Sequence, residues 1–138
     1  MNTRLDAQMA FLNEADKLKS VMRATTLGDA TRHENSGEHS WHIALYALVL
    51  SEHAPEGVDI NRVIKMLLLH DLVEIDAGHV PIFGDTDAAA IEADEARAAD
   101  RIFGLLPEDQ STNLRALWQE FEAAQSPDAI FAKSLDRF

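Results

Sequence analysis

The stretch from Leu67 to Gly78, Leu-Leu-Leu-His-Asp-Leu-Val-Glu-Ile-Asp-Ala-Gly, limits what this chain can fold into more than any other. With Val63, Ile64 and Met66, its three leucines cover every face of a helix that starts near Ile60, and a helix that is apolar all round belongs in a core. His70 and Asp71 therefore arrive at a buried place. A carboxylate buried alone costs several kcal/mol, so such a group is normally paired or bound to a metal. Glu74 follows three residues after Asp71 and four after His70, which puts it on their face if the helical path continues one more turn. Three groups able to hold a metal or move protons then point into one cavity.

The rest of the chain reads as helices around that stretch. Apolar positions at Met9, Phe11, Leu12, Ala15, Leu18, Val21 and Met22 recur at the helical period and predict a first helix from about Leu5 to Met22. The polar run from Thr25 to Gly37 predicts a loop long enough to be functional. His39 to about His53 predicts a second, mostly apolar helix stopped by Pro55 and Gly57, and Asp59 is the expected N-cap of the third. Residues 77–84 predict a turn-rich loop beside the site. A surface helix follows, capped by Asp85 or Thr86 and turned inward at Ile91, Ala98, Ile102 and Phe103. Pro107 opens a fifth helix through Leu114, Leu117, Trp118 and Phe121; Ser126 and Pro127 open a sixth, with Ile130, Phe131 and Leu135 inward. No alternating strand, repeat or low-complexity tract stands out, so the expected class is all-α.

At 138 residues one domain, 1–138, is expected, with a real core. Twelve basic against twenty-four acidic residues give a net charge of -12, which repels polyphosphate backbones and anionic surfaces; neither a nucleic-acid polymer nor a membrane is an expected partner. A small phosphate ester held by a metal stays open. The absence of cysteine excludes a disulfide, a thiolate nucleophile and a cysteine zinc site. No signal-peptide core begins the chain and no apolar run reaches the roughly 18 residues of a membrane span, so a cytoplasmic location is expected.

Four positions form a candidate set: His39 at the start of the second helix, His70 and Asp71 at the end of the third, and Asp136 in the last. Two imidazoles and two carboxylates suit Mn, Fe, Co, Ni or Zn better than Ca and leave positions open for water and substrate. Such an ion lowers the pKa of bound water from about 15.7 toward about 7 and polarises a phosphoryl oxygen. Glu74, outside the four, would orient the water or carry its proton. Arg23 and Arg32 are the candidate phosphate clamps, because a guanidinium holds a phosphate by two parallel hydrogen bonds.

The segments Arg32-His-Glu-Asn-Ser-Gly-Glu-His-Ser-Trp-His, His70-Asp-Leu-Val-Glu-Ile-Asp-Ala-Gly and Lys133-Ser-Leu-Asp-Arg resemble those of the HD-domain phosphohydrolase superfamily. More narrowly, they are similar to the branch containing the bacterial 5'-deoxynucleotidases and many uncharacterised HD hydrolases. The resemblance covers nearly the whole chain and rests on a His, a distant His-Asp pair and a final Asp in fixed order. It implies an all-α HD-domain bundle of about six helices, with a divalent ion (Mn, Co, Fe, Ni, Mg or Zn) at His39, His70, Asp71 and Asp136. Glu74 matches the family's water-activating acid, and Asp71 stands with it as the second catalytic carboxylate. The implied reaction is phosphate-ester hydrolysis, in this branch of nucleoside monophosphates, in a homodimer.

The chain also departs from the family. Where the deoxynucleotidases carry Gly-Asp-Leu-Pro, with the Asp at the substrate, this chain has Gly78-His79-Val80-Pro81, with Asp76 two places before Gly78; Asp76 and His79 are the substrate-side candidates. The family's Arg-Trp pair after helix one is represented by Arg23 alone, one place out of register. Phe138 follows Asp136 by two residues where the family continues through further helix, so the expectation is either a truncated helix or a last ligand on a fraying end. The expected function is a metal-dependent phosphohydrolase cleaving a small phosphomonoester, chiefly a nucleoside 5'-monophosphate, through metal-activated water. The alternatives are an HD phosphodiesterase, a nucleoside polyphosphate hydrolase, and a non-catalytic metal- or nucleotide-binding module.

Overall fold

The computed structural model describes residues 3–78 and 88–137. Helix α1 (Thr3–Ala15) runs into a 3-10 turn (Asp16–Ser20), then β1 (Met22–Thr26) and β2 (His33–Asn35) form an antiparallel hairpin. Six more helices follow: α2 (Ser36–Val49), α3 (Ile60–Leu69), the single turn α4 (Glu74–Ala77), α5 (Ala88–Phe103), α6 (Glu108–Ala123) and α7 (Pro127–Asp136). The class is all-α, with that one hairpin as the only sheet among the described residues.

Two expectations are corrected at the start of the chain. The first helix ends at Ala15, and much of the expected loop from Thr25 to Gly37 is a hairpin whose register is irregular between Met22 and Thr26. The hairpin escaped a periodicity test because β1 is exposed at four of its five positions, so it shows no apolar alternation. The second helix begins at Ser36, ahead of His39, because Asn35 and Glu38 make a capping box: the Asn35 side chain accepts from Glu38 N at 2.9 Å, and Glu38 Oε1 accepts from Asn35 N at 2.9 Å.

Helices α3 and α7 are started from one clamp. Asp59 caps α3 by accepting from Asn61 N at 3.0 Å, as its position implied. The buried Asp128, in the first turn of α7, accepts from Asp59 N at 2.7 Å and from Arg62 Nη1 at 2.7 Å, while Arg62 also forks onto Glu120 of α6. Each helix is ten residues long. Equal length from a shared starting point brings their C-terminal ends, His70 and Asp136, to the same level.

Two apolar clusters flank that level. One joins Phe11, Leu18, Leu69, Leu72, Val73, Ile102, Phe103 and Trp118; the other joins Ile43, Ala47, Val63, Met66, Leu67, Phe121, Ala132 and Leu135. The core face of α7 is Ala129, Ala132 and Leu135, and the expected inward Ile130 is instead 54% exposed. Helix α3 is not buried all round either, since Leu68 is 49% exposed. Helix α2 buries Ile43, Ala44 and Ala47 but leaves Leu45, Leu48 and Val49 in solvent.

Candidate metal centre

His39, His70 and Asp136 come together where α2, α3 and α7 meet, and each offers a ligand atom within 4.8 Å of the others. Asp136 Oδ1 lies 2.7 Å from His39 Nε2 and 3.3 Å from His70 Nε2. Asp71 joins through His70, its Oδ1 being 3.2 Å from the same Nε2. Asp71 and Asp136 both stand at helix C-terminal ends, where the helix dipole already adds negative potential. Two carboxylates there call for positive charge.

Two features fit the group to a cation. His70 is buried and its Nδ1 donates to Leu67 O at 2.6 Å, the intrahelical anchor that leaves Nε2 as the ring atom with a free lone pair. His70 Nε2 and Asp71 Oδ2 are buried, and no protein group hydrogen-bonds to either. Without a metal, a proton takes the cation's place. Burial alone would push the His70 imidazole down, but the Asp71 and Asp136 carboxylates outweigh it and hold its pKa up at about 10. Both carboxylates are held low in spite of burial: Asp71 chiefly by the His70 charge, Asp136 by the hydrogen bond from His39 and the nearby His70 charge.

Glu74 stands at the first residue of α4, and its Oε2 accepts from Ser36 Oγ at 2.9 Å. Burial, then the neighbouring Asp71 charge, pushes its carboxyl up to about 8, and the Ser36 hydrogen bond only partly offsets them. Arg23 leaves the hairpin toward the same group, with Nη1 3.7 Å from Asp71 Oδ2 and Nε 3.5 Å from Glu34 Oε1. A phosphate oxygen beside Asp71 would be within this guanidinium's reach.

Other sequence candidates lie elsewhere. The Arg32 guanidinium forks onto Glu38, braces the capping box, and is half exposed. Both Asp76 oxygens accept from Arg101, at 2.6 and 2.8 Å, which ties α4 to α5. His79 and the expected caps Asp85 and Thr86 lie outside the described residues. His42, on the exposed side of α2, packs on Trp41.

Sequence reasoning missed Glu34 and Ser36. Glu34 Oε1 is 3.4 Å from His39 Nδ1, the carboxylate partner that orients a ligating imidazole from behind. Ser36 is fully buried and holds Glu74. The one signal that could have found them is the Asn35-x-x-Glu38 capping box, which makes Ser36 the first helical residue and ends the strand at Glu34-Asn35.

The family model described as HD domain matches residues 15–138. A human protein named 5'-deoxynucleotidase HDDC2 is 28% identical over 130 residues, which are 94% of this chain and 62% of the human protein. The chain thus spans less than two thirds of that curated relative. Among solved structures, a predicted metal-dependent phosphohydrolase from Magnetospirillum magnetotacticum MS-1 is 53% identical, with a TM-score of 0.92 over 99% of this chain and 69% of that one. A conserved hypothetical protein from Pyrococcus furiosus shares the fold at 21% identity and a TM-score of 0.70, over 94% of this chain and 77% of that one.

Proposed function

We propose, from the premise that this chain belongs to the HD-domain family, that it is a metal-dependent phosphohydrolase acting on a small phosphomonoester, chiefly a nucleoside 5'-monophosphate. The observation that carries this is the convergence of His39, His70 and Asp136 within 4.8 Å, with Asp71 against His70 and Glu74 beside Asp71. The names of the human relative and the Magnetospirillum structure point the same way. His39, His70, Asp71 and Asp136 would hold the ion, and the nitrogen and carboxylate donors suit Mn, Fe, Co, Ni or Zn, with Mg within reach of the carboxylates.

A divalent ion at this set supplies a polarised phosphoryl oxygen and a water acidified toward about pKa 7. The protein's own groups supply the proton handling. Burial and Asp71 push the Glu74 carboxyl up to about 8, and a cation held next to Asp71 would lower it into the range of a base at neutral pH. It takes the proton of the attacking water as the new P–O bond forms, and returns it to the 5'-oxygen as the ester bond breaks. Ser36 fixes the carboxylate's orientation, and Arg23 compensates charge on the phosphate oxygens.

Phosphate release from nucleoside monophosphates, diesters and triphosphates, measured with Mn, Co, Mg and Zn in turn, tests the proposal. Monophosphate turnover well above the others is expected. Preferential cleavage of a diester or a triphosphate would move the chain to the phosphodiesterase or polyphosphate reading, and no release with any metal from folded protein would favour a binding module.

The proposal extends to one HD domain in the cytoplasm, and to a homodimer. No helix among the described residues is long and apolar enough to cross a membrane. The exposed Leu45, Leu48 and Val49 form one stripe of α2 of the kind that symmetric pairs bury. Sedimentation equilibrium should report a dimer that Leu48→Lys weakens; a monomer at every concentration removes the dimer from the account.

A further inference from the structure

Beside the ligand set a cavity of 360 Å³ opens between the hairpin and α2, within the size range of small-molecule sites. Thr25 and Thr26 line its hairpin side, Glu34 and His39 its inner end, and His42 and Tyr46 its α2 side. His39 therefore belongs at once to this cavity and to the ligand set, so a molecule with phosphate at the set has the cavity as its neighbour. His39, His42 and Tyr46 are spaced three and four residues apart, so they share one helix face and step outward by about 4.5 and about 10.5 Å along the axis.

We infer that this cavity receives the base of the nucleotide, against the His42 ring; the inference rests on the hydrolase reading and gives it an orientation. Charge fixes that orientation. Glu34 and Glu38 line the cavity already paired with Arg23 and Arg32, and no lysine or arginine among the described residues lines it, so it offers a phosphate no cation; the phosphate goes to the metal ion and the neutral end of the substrate to the cavity. The His42 ring touches two aromatic neighbours: Trp41 lies offset and nearly parallel, with centroids 5.8 Å apart and planes 20° apart, and Tyr46 meets it edge-on at 4.7 Å. A ring braced in this way offers a stacking surface that every base can use, because each has a π-face. Discrimination between bases is left to the Thr25 and Thr26 hydroxyls, which can donate or accept at a base edge. His42 and Trp41 are exposed, so replacing either does not touch the core.

The experiment compares a deoxynucleoside 5'-monophosphate with deoxyribose 5-phosphate, which has the same ester and no base, in the unmodified chain and in His42→Ala and Trp41→Ala. For His42→Ala the nucleotide KM is expected to rise about tenfold, within what one stacked base contributes, with kcat little changed and the KM of the baseless ester not following. An unchanged nucleotide KM, or an equal shift on both esters, overturns the base site. If the unmodified chain releases phosphate from neither ester, the hydrolase reading fails, and titration with a deoxynucleoside, which needs neither metal nor turnover, decides the base site separately. Saturable quenching of Trp41 fluorescence that His42→Ala abolishes supports it, and a flat titration overturns it.

Discussion

His70→Ala is expected to strip the protein of its divalent ion and take phosphate release to background. Losing a group that merely orients a ligand costs roughly 10- to 100-fold in metal affinity, and His70 is proposed as a ligand, so a loss beyond about 100-fold is expected. The geometry says why no neighbour can substitute. Nε2 is the atom that Asp71 and Asp136 both approach, at 3.2 and 3.3 Å, and the anchor to Leu67 O points it there. Alanine also removes the proton that balances those carboxylates in the metal-free protein. Asp136 is held below its ordinary pKa in the folded state, so its contribution to stability is present above the unfolded value of 3.8 and is lost as pH falls below it. In the variant the part of that contribution owed to His70 disappears while the His39 hydrogen bond remains, and the metal-free protein should melt at lower temperature at pH 7 than the parent, with the gap narrowing in acid. Metal analysis together with circular dichroism separates ligand loss from unfolding. A folded His70→Ala protein with full metal content would remove His70 from the set.

The second large effect is at Glu74. Glu74→Gln keeps the shape and the contact with Ser36 but cannot take a proton, so turnover should fall by about 10²- to 10⁴-fold while the metal stays bound. The metal-free and loaded proteins should also differ in pH dependence. With the carboxyl at about 8 the metal-free protein carries Glu74 mostly protonated at neutral pH, and a cation beside Asp71 moves that titration downward. The acidic limb of the rate profile therefore belongs to Glu74 in the loaded enzyme, and it should vanish in whatever activity the Gln variant retains. If the parent has measurable turnover and the variant matches it with metal in place, Glu74 is not the base. A binding module that keeps the metal as a staple then becomes the better account.

How much of this was legible in the sequence depends on how each residue is buried. His70 and Asp71 announced themselves because an apolar helix delivers them into a core, and the caps Asp59 and Ser126 were legible because capping is a local hydrogen bond, here from Asn61 N and Ala129 N. The order of the motifs brought in His39 and Asp136, which lie 97 residues apart and meet only through packing. The hairpin was invisible because both of its strands are short and the longer one is mostly exposed. With it went the distinction between the two arginines, since Arg23 turns to Asp71 and Glu34 while Arg32 turns to Glu38. The partner of Asp76 was out of sight too, because Arg101, 25 residues away, meets both of its oxygens only through packing. Glu34 and Ser36 sit in a polar run with no period, and only the turn of the chain from β2 into α2 gives them a function.

Calorimetric titration of metal-free protein with a divalent ion, repeated in buffers of different ionisation enthalpy, bears on the central claim most directly. One ion per chain is expected, with release of about one to two protons at pH 7 as the ion displaces the proton held on His70 and lowers Glu74. Neither the binding nor the proton release should survive in His39→Ala or Asp136→Ala. Binding without proton release, or undiminished binding in those variants, would place the cation somewhere other than among these four side chains.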